Sequence, residues 1–229
     1  MTSSPRRPAR AATGPRTRKA PAERRAEILD AAARLALTEG LERVTMQLVA
    51  DHLGVRPGLI GHYFPTIETL LAEAFTHAAT RERRSLLPPA ESDLPPLRRL
   101  ALFLHRVSGP DFTDLDRLWL NARHLSRYRP TLHQAVADQE AEMRTELTTL
   151  IEDGVAAGEF TTTDPPAACL LLLVVIDGLG SYANDTTGFT HPALAALPRT
   201  TAEQQLGLTP GTLTLQQDAG RARPWPSGA

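Results

Sequence analysis

The chain has 229 residues, 41% of them apolar, which suits one or two globular domains with a real core and excludes a collagen-like, mucin-like or wholly disordered chain. Its formal net charge of −1 hides an asymmetry: residues 1–84 carry 14 Lys and Arg against 9 Asp and Glu, and residues 85–229 carry 11 against 17. The single cysteine, Cys169, excludes an intrachain disulfide and a cysteine-based zinc site.

Residues 1–20 hold Arg6, Arg7, Arg10, Arg16, Arg18 and Lys19 without apolar periodicity, which predicts a disordered basic arm. Such an arm either reaches DNA or is simply solvated. A first helix is predicted over Pro21–Thr38, with Pro21 in the first turn, Ile28, Leu29, Ala32, Leu35 and Ala36 on one face, and Gly40 as a stop. Thr45 is a candidate N-cap for a short helix over Met46–Leu53, which Gly54 ends. A third short helix follows over Pro57–Tyr63, and Pro65 breaks it. Thr66 then caps a helix over about Ile67–Arg84 with Leu70, Leu71, Ala74, Phe75 and Ala78 on its apolar face.

The Pro-rich, acidic stretch Leu87–Pro96 reads as a linker, and helical patterns alone follow it. Leu97, Leu100, Ala101 and Leu104 mark one helix, and Leu115, Leu118, Trp119, Ala122 and Leu125 the next. A long helix opens at Pro130 and closes at Gly158. Asp164 is placed to cap a helix from Pro165 to about Asn184 that is apolar almost all round, so it belongs in a core or an interface. Its ten-residue apolar run, Ala167–Ile176, is half the length a membrane span needs, about 20 residues. With no apolar stretch behind the basic start, no signal peptide is expected, and the predicted location is cytoplasmic. Residues 185–229 predict at most one short helix, near Ala202–Leu206, in an otherwise irregular tail.

Two short helices joined by a turn containing Gly54 form the helix-turn-helix pattern, in which the second helix offers its N-terminal residues to base edges in a major groove. Two short core helices of an ordinary bundle can look the same. A basic head on an acidic body fits a polyanion-binding role, or reflects chance scatter of arginine.

Taken together, Ile28–Ala32, Gly40, Val44–Thr45, Val49–Ala50, Leu53–Gly54–Val55, Gly58–Pro65 and Glu68–Leu71 resemble the DNA-binding domain of the tetracycline-repressor (TetR) family over about Arg24–Phe75. The run Gly58–Phe64, with Trp119, Pro130–Leu132, Gly158–Phe160 and Asp177–Leu179, resembles the betaine-pathway repressor subgroup. The resemblance implies an all-α chain: residues 1–20 as arm, 21–66 as helix-turn-helix domain, 67–186 as ligand-binding and dimerisation domain, and 187–229 as a mostly irregular tail. It implies a homodimer whose last two long helices form a four-helix bundle, a palindromic DNA operator, and a small-molecule effector that releases it.

The DNA-facing residues carried over are Thr45, Gln47, Arg56, Pro57, Gly58, Leu59, His62 and Tyr63. Arg56 stands where the family often has Ser, and so adds a guanidinium for phosphate or guanine. Gly61 and Ile67 replace a common Tyr and Lys, removing two expected contacts. Leu59 either meets a thymine methyl or packs in the core. The candidate ligand-lining residues are Phe75, Phe103, Trp119, Arg123, Met143 and Asp177, each of which core packing or solvation would also explain. Asp177 interrupts an apolar helix, so it is paired across an interface or aimed at a polar ligand group. A cation could sit on Trp119 if the likeness extends to the ligand.

Enzyme readings lack a constellation. The sequence has no Glu-x-x-His, no P-loop, no dinucleotide fingerprint and no Gly-x-Ser-x-Gly, so no catalysis, cofactor or metal is expected. The alternative function is a helical small-molecule-binding or interaction protein that does not read DNA sequence.

Overall fold

A computed structural model describes residues 19–109, 113–184 and 191–215; the basic arm up to residue 18 and the tail from residue 216 lie outside them. The described residues form α1 (Pro21–Thr38), α2 (Met46–Leu53), α3 (Pro57–Tyr63), α4 (Ile67–Leu86), α5 (Pro96–Val107), α6 (Thr113–Ser126), α7 (Pro130–Ala156), α8 (Pro165–Gly180) and α9 (Pro192–Gln205), with no strand among them.

Local chemistry fixes most boundaries. Thr45 Oγ1 accepts from Leu48 N–H at 3.0 Å and starts α2. Gly54 ends it at φ 62°, a left-handed conformation that costs a residue with a Cβ, so the tight turn into α3 depends on glycine. Thr66 and Asp164 cap α4 and α8 by the same N-cap bond. The helix expected to reach Asn184 stops at Gly180 and tightens to a 3-10 turn over Ser181–Asn184. A clear departure from the sequence reading is α9. It runs 14 residues where a five-residue helix is expected, even though Pro198 lies inside it. The chain after α9 is also tied down: buried Glu203 accepts from the Gly211 and Leu213 N–H groups at 3.0 Å each, and Leu206 and Leu213 are buried.

Two apolar cores result. The first joins α1–α4 to α6 and the start of α7, through Ile28, Leu35, Val49, Ile60, Phe64, Leu71, Phe75, Leu118 and Leu132. The second joins α5, the later part of α7, α8 and α9, through Leu100, Phe103, Leu147, Ile151, Cys169 and Leu172. Helix α4 reaches both and is fastened on two sides. Toward α1, Arg25 pairs with Glu73, and His77 Nε2 lies 2.7 Å from Asp30 Oδ1. Toward α7, Arg83 reaches Glu142, Glu146 and the buried Gln139.

Near the end of α7 an aromatic ring packs directly on the bare backbone of a glycine. A Cβ on Gly154 would clash with Cδ2 and Cε2 of the Phe160 ring, which is itself buried. Alanine normally gains up to about 1 kcal/mol over glycine inside a helix. Here overpacking, typically about 1–3 kcal/mol, outweighs that gain. Gly154→Ala is therefore expected to lower the urea midpoint, and an unchanged or raised midpoint would contradict the packing.

Candidate functional site

The short helices leave one group of polar and small side chains outside the core. Arg56 occupies the N-cap of α3 but makes no capping bond, so its guanidinium is free of that duty, and Arg56, Pro57, Gly58 and His62 are all exposed. Nothing approaches the position of a Cβ on Gly58 or Gly61. On α2, Thr45 and Gln47 are exposed, Thr45 engaged as the cap and Gln47 donating to Asp51 Oδ1 at 2.8 Å. Leu59 and Tyr63 are half-buried; the Tyr63 ring packs on the first core and meets His62 edge-on with centroids 5.2 Å apart. The surface open to a partner therefore centres on Arg56–Gly58, His62, Thr45 and Gln47, while Leu59 and Tyr63 have one side committed to packing.

The second candidate site is a cavity of about 230 Å³ between α4, α5, α6, α7 and α8. Phe103, Trp119, Arg123, Met143 and Asp177 all line it. Phe75 does not. It is fully buried behind the cavity wall, edge-on to Trp119 with centroids 4.9 Å apart, and belongs to the core that holds the short helices. The expectation for Phe75 is thus corrected, because its place on the apolar stripe of α4 points it at α6 rather than at the empty space beyond.

The polar end of the cavity carries four carboxyl groups, Glu82, Asp116, Glu140 and Asp177, against Arg123 and Arg144. Trp119 Nε1–H donates to Glu82 Oε2 at 2.7 Å. Arg123 donates through Nε to Glu140 Oε1 at 2.8 Å and through a terminal nitrogen to Asp177 Oδ2 at 2.9 Å. Its guanidinium carbon also lies 5.2 Å from the centroid of the Trp119 ring, within cation–π range. Asp177, expected to be paired across an interface or aimed at a polar ligand group, lines the cavity with its side chain 48% exposed and pairs with Arg123 of its own chain. Asp116 sits against α8, where a Cβ on Gly180 would come within 3.0 Å of its Oδ1.

Burial sets the electrostatics here. It pushes the Glu82 carboxyl up to about 7, and the charges of Asp116 and Asp177 push the same way against the Trp119 hydrogen bond and Arg123. Burial and then Asp177 push Asp116 up to about 6. Burial also raises Asp177, although Arg123 works against it. For Arg123, burial works against the charged form, but the bonds to Glu140 and Asp177 more than offset it and strengthen its hold on the proton. Four carboxyl groups against two guanidinium groups, one of them already engaged by Glu140 and Asp177, leave the cavity with an excess of acidic groups.

The chain matches two protein-family profiles. Residues 28–74 match the one described as bacterial regulatory proteins, tetR family. Residues 96–207 match the one described as BetI-type transcriptional repressor, C-terminal. This chain belongs to the TetR family.

Among relatives of the TetR-family chain, the repressor KstR of Rhodococcus jostii is 37% identical over 87 residues, 38% of this chain and 40% of KstR. The regulator BetI of Burkholderia mallei is 31% identical over 123 residues, 48% of this chain and 58% of BetI. The match thus spans less than two thirds of either relative. A transcriptional regulator from Saccharomonospora viridis, solved in complex with choline, superposes with a TM-score of 0.68 at 22% identity, over 81% of this chain and 98% of that one.

Two of the cavity carboxylates in this TetR-family chain escape a reading by residue type yet follow helical spacing. Glu82 lies seven residues after Phe75 and four before Leu86, inside the apolar stripe of α4. Asp116 lies three before Trp119 and seven before Arg123, on the same face of α6. Among the described residues no group of three or more His, Cys, Asp or Glu is placed to hold a metal ion, and no helix is long and apolar enough to cross a membrane.

Proposed function

We propose that the chain is a transcriptional repressor that binds an inverted-repeat operator as a homodimer and lets go when a small organic cation enters the cavity. Residues 21–66 act as the reader, and the chain from residue 67 onward senses the effector and pairs the two copies. The observation that carries this reading is the contact between Trp119 and Phe75. One ring is a wall of the cavity, and the other lies in the core that seats α2 and α3, so a change at the cavity bears directly on the reader. A second tie runs from α6 to the head, where Asn121 donates to Glu42 at 3.2 Å. The effector needs only to favour one separation of the two heads over the other, because a dimer reads half-sites about 34–36 Å apart. The choline held by the Saccharomonospora viridis neighbour agrees with a cation, as does the charge of the cavity.

Selection of bound fragments from genomic DNA at near-physiological salt tests the reading, run in parallel with Gly58→Glu. Open space around Gly58 lets glutamate fit without disturbing the fold, while its charge meets the DNA phosphates. The expected result is a shared inverted repeat for the wild type and its loss in Gly58→Glu at unchanged melting temperature. Recovery of unrelated fragments only, or equal recovery by the variant, would overturn it in favour of a binding protein that does not read DNA.

A further inference from the structure

We infer that the effector is an amine carrying N–H donors on an apolar chain, a primary or secondary ammonium rather than a quaternary one, held by directed bonds to carboxyl groups as Arg123 is. This rests on the cavity being the effector site.

The two kinds of cation need different surroundings. A quaternary ammonium donates no conventional hydrogen bond and is recognised by the faces of several aromatic rings. An N–H cation needs acceptors placed to receive its protons. Among the described residues only two aromatic rings line this cavity, Phe103 and Trp119. Phe103 is almost wholly buried in the second core. Trp119 is already occupied: its face lies near the Arg123 guanidinium, its N–H is taken by Glu82, and it meets Phe75 edge-on. No open aromatic cage remains.

Acceptors, in contrast, are in surplus. Asp116 lines the cavity with no hydrogen-bond or ion-pair partner among the described residues, and Glu82 uses only Oε2, leaving Oε1 without a partner. Arg123 demonstrates the mode of recognition within the chain itself. It is a planar N–H cation that satisfies Glu140 and Asp177 by directed bonds while lying near an indole face. The rest of the wall is aliphatic, with Leu86, Val107, Met143, Leu173 and Ile176, and suits a hydrocarbon chain. At about 230 Å³ the cavity falls below the roughly 300 Å³ at which drug-sized pockets begin, so the amine is small.

The test is isothermal titration of the full-length wild type and Asp116→Asn with four probes: n-hexylamine, its larger analogue N,N,N-trimethylhexylammonium, and choline and hexan-1-ol, which match the amine in size. Hexylammonium is expected to bind at least about tenfold more tightly than the trimethyl analogue, because one bond to a charged group exceeds the increment for a factor of ten. Asp116→Asn, nearly isosteric and checked by its melting curve, is expected to lose at least about tenfold for hexylammonium and little for the trimethyl analogue. If the trimethyl analogue or choline binds as well as the amine, the N–H requirement falls and the cationic-effector reading stands. If hexan-1-ol binds as well as the amine, or no probe binds at millimolar concentration, both fall.

Discussion

The wild type is expected to sediment as a dimer, and a chain with Leu171→Arg and Gly178→Glu as a single copy that has lost operator binding. The reason is the division of labour around α8. Cys169, Leu172, Ile176 and Gly180 face the body, with Cys169, Leu172 and Gly180 fully buried. Leu170, Leu173, Val174 and Asp177 line the cavity, as do Ile176 and Gly180. That leaves Leu171, Val175, Gly178 and Tyr182 on a third stripe, with Leu171 44% exposed and nothing near a Cβ on Gly178. A stripe of this kind, with α9 packed beside it, fits a second copy of the same helix pair.

The magnitude follows from symmetry. Burying one leucine is worth about 1.5–3 kcal/mol, and a twofold interface counts each residue twice. Losing Leu171 alone then weakens the dimer by roughly 10²–10⁴-fold, before the cost of burying the new charges. The variant keeps every cavity-lining residue, so its melting curve should stay close to that of a dilute wild type. A double variant that remains dimeric in analytical ultracentrifugation would remove this face from consideration.

Glu82→Gln is expected to stabilise the protein at pH 8 and to change little at pH 5. The folded state raises the Glu82 carboxyl from 4.5 to about 7. Between those values the native chain holds more protons than the unfolded one, so stability falls as pH rises through the window. The penalty is absent below about pH 4.5 and complete above about pH 7. At 1.36 kcal/mol for each pH unit between 4.5 and about 7, it is about 3 kcal/mol. That corresponds to roughly 5–10 °C in Tm for a chain of this size. Glutamine keeps a carbonyl to accept the Trp119 N–H, so the ring stays in place. Asp116 remains in the variant and leaves a slope of the same sign between about pH 3.8 and 6, where the folded chain holds its extra proton. Differential scanning calorimetry at the two pH values decides it. A variant that melts lower at pH 8, or a difference equal at both values, would mean that Glu82 is not held at a cost.

The outcome at Glu82 also bears on how much could be read from the sequence. The reader helices are legible because their signals are local: a Thr cap, a Gly turn and a first-turn Pro leave little freedom. Trp119, Arg123 and Met143 are legible as cavity residues because rings, charges and thioethers on helix faces are conspicuous. Glu82 is not, since it sits in Arg81–Arg84, a charged run that reads as a solvated surface until α4 is seen to turn it inward. Glu73 and His77 mislead in a similar way. Four residues apart, they suggest a pair on one helix, whereas each is bound to α1. Helix α9 is hidden for the opposite reason: Pro198 and a Thr-rich stretch suppress the local signal, and its burial against α8 is a tertiary effect that no window of sequence contains.

The first core runs from Ile28 through Phe75 to Leu132 without a break at the start of α4. The reader is therefore not a portable module. Cut away from α6 and α7, it would present Leu71, Phe75 and Ala78 to water and lose the partners that hold α4 straight. Grafting it onto another sensor would require carrying the cavity wall along, so for this chain a change of recognition sequence and a change of sensed molecule are one engineering problem rather than two.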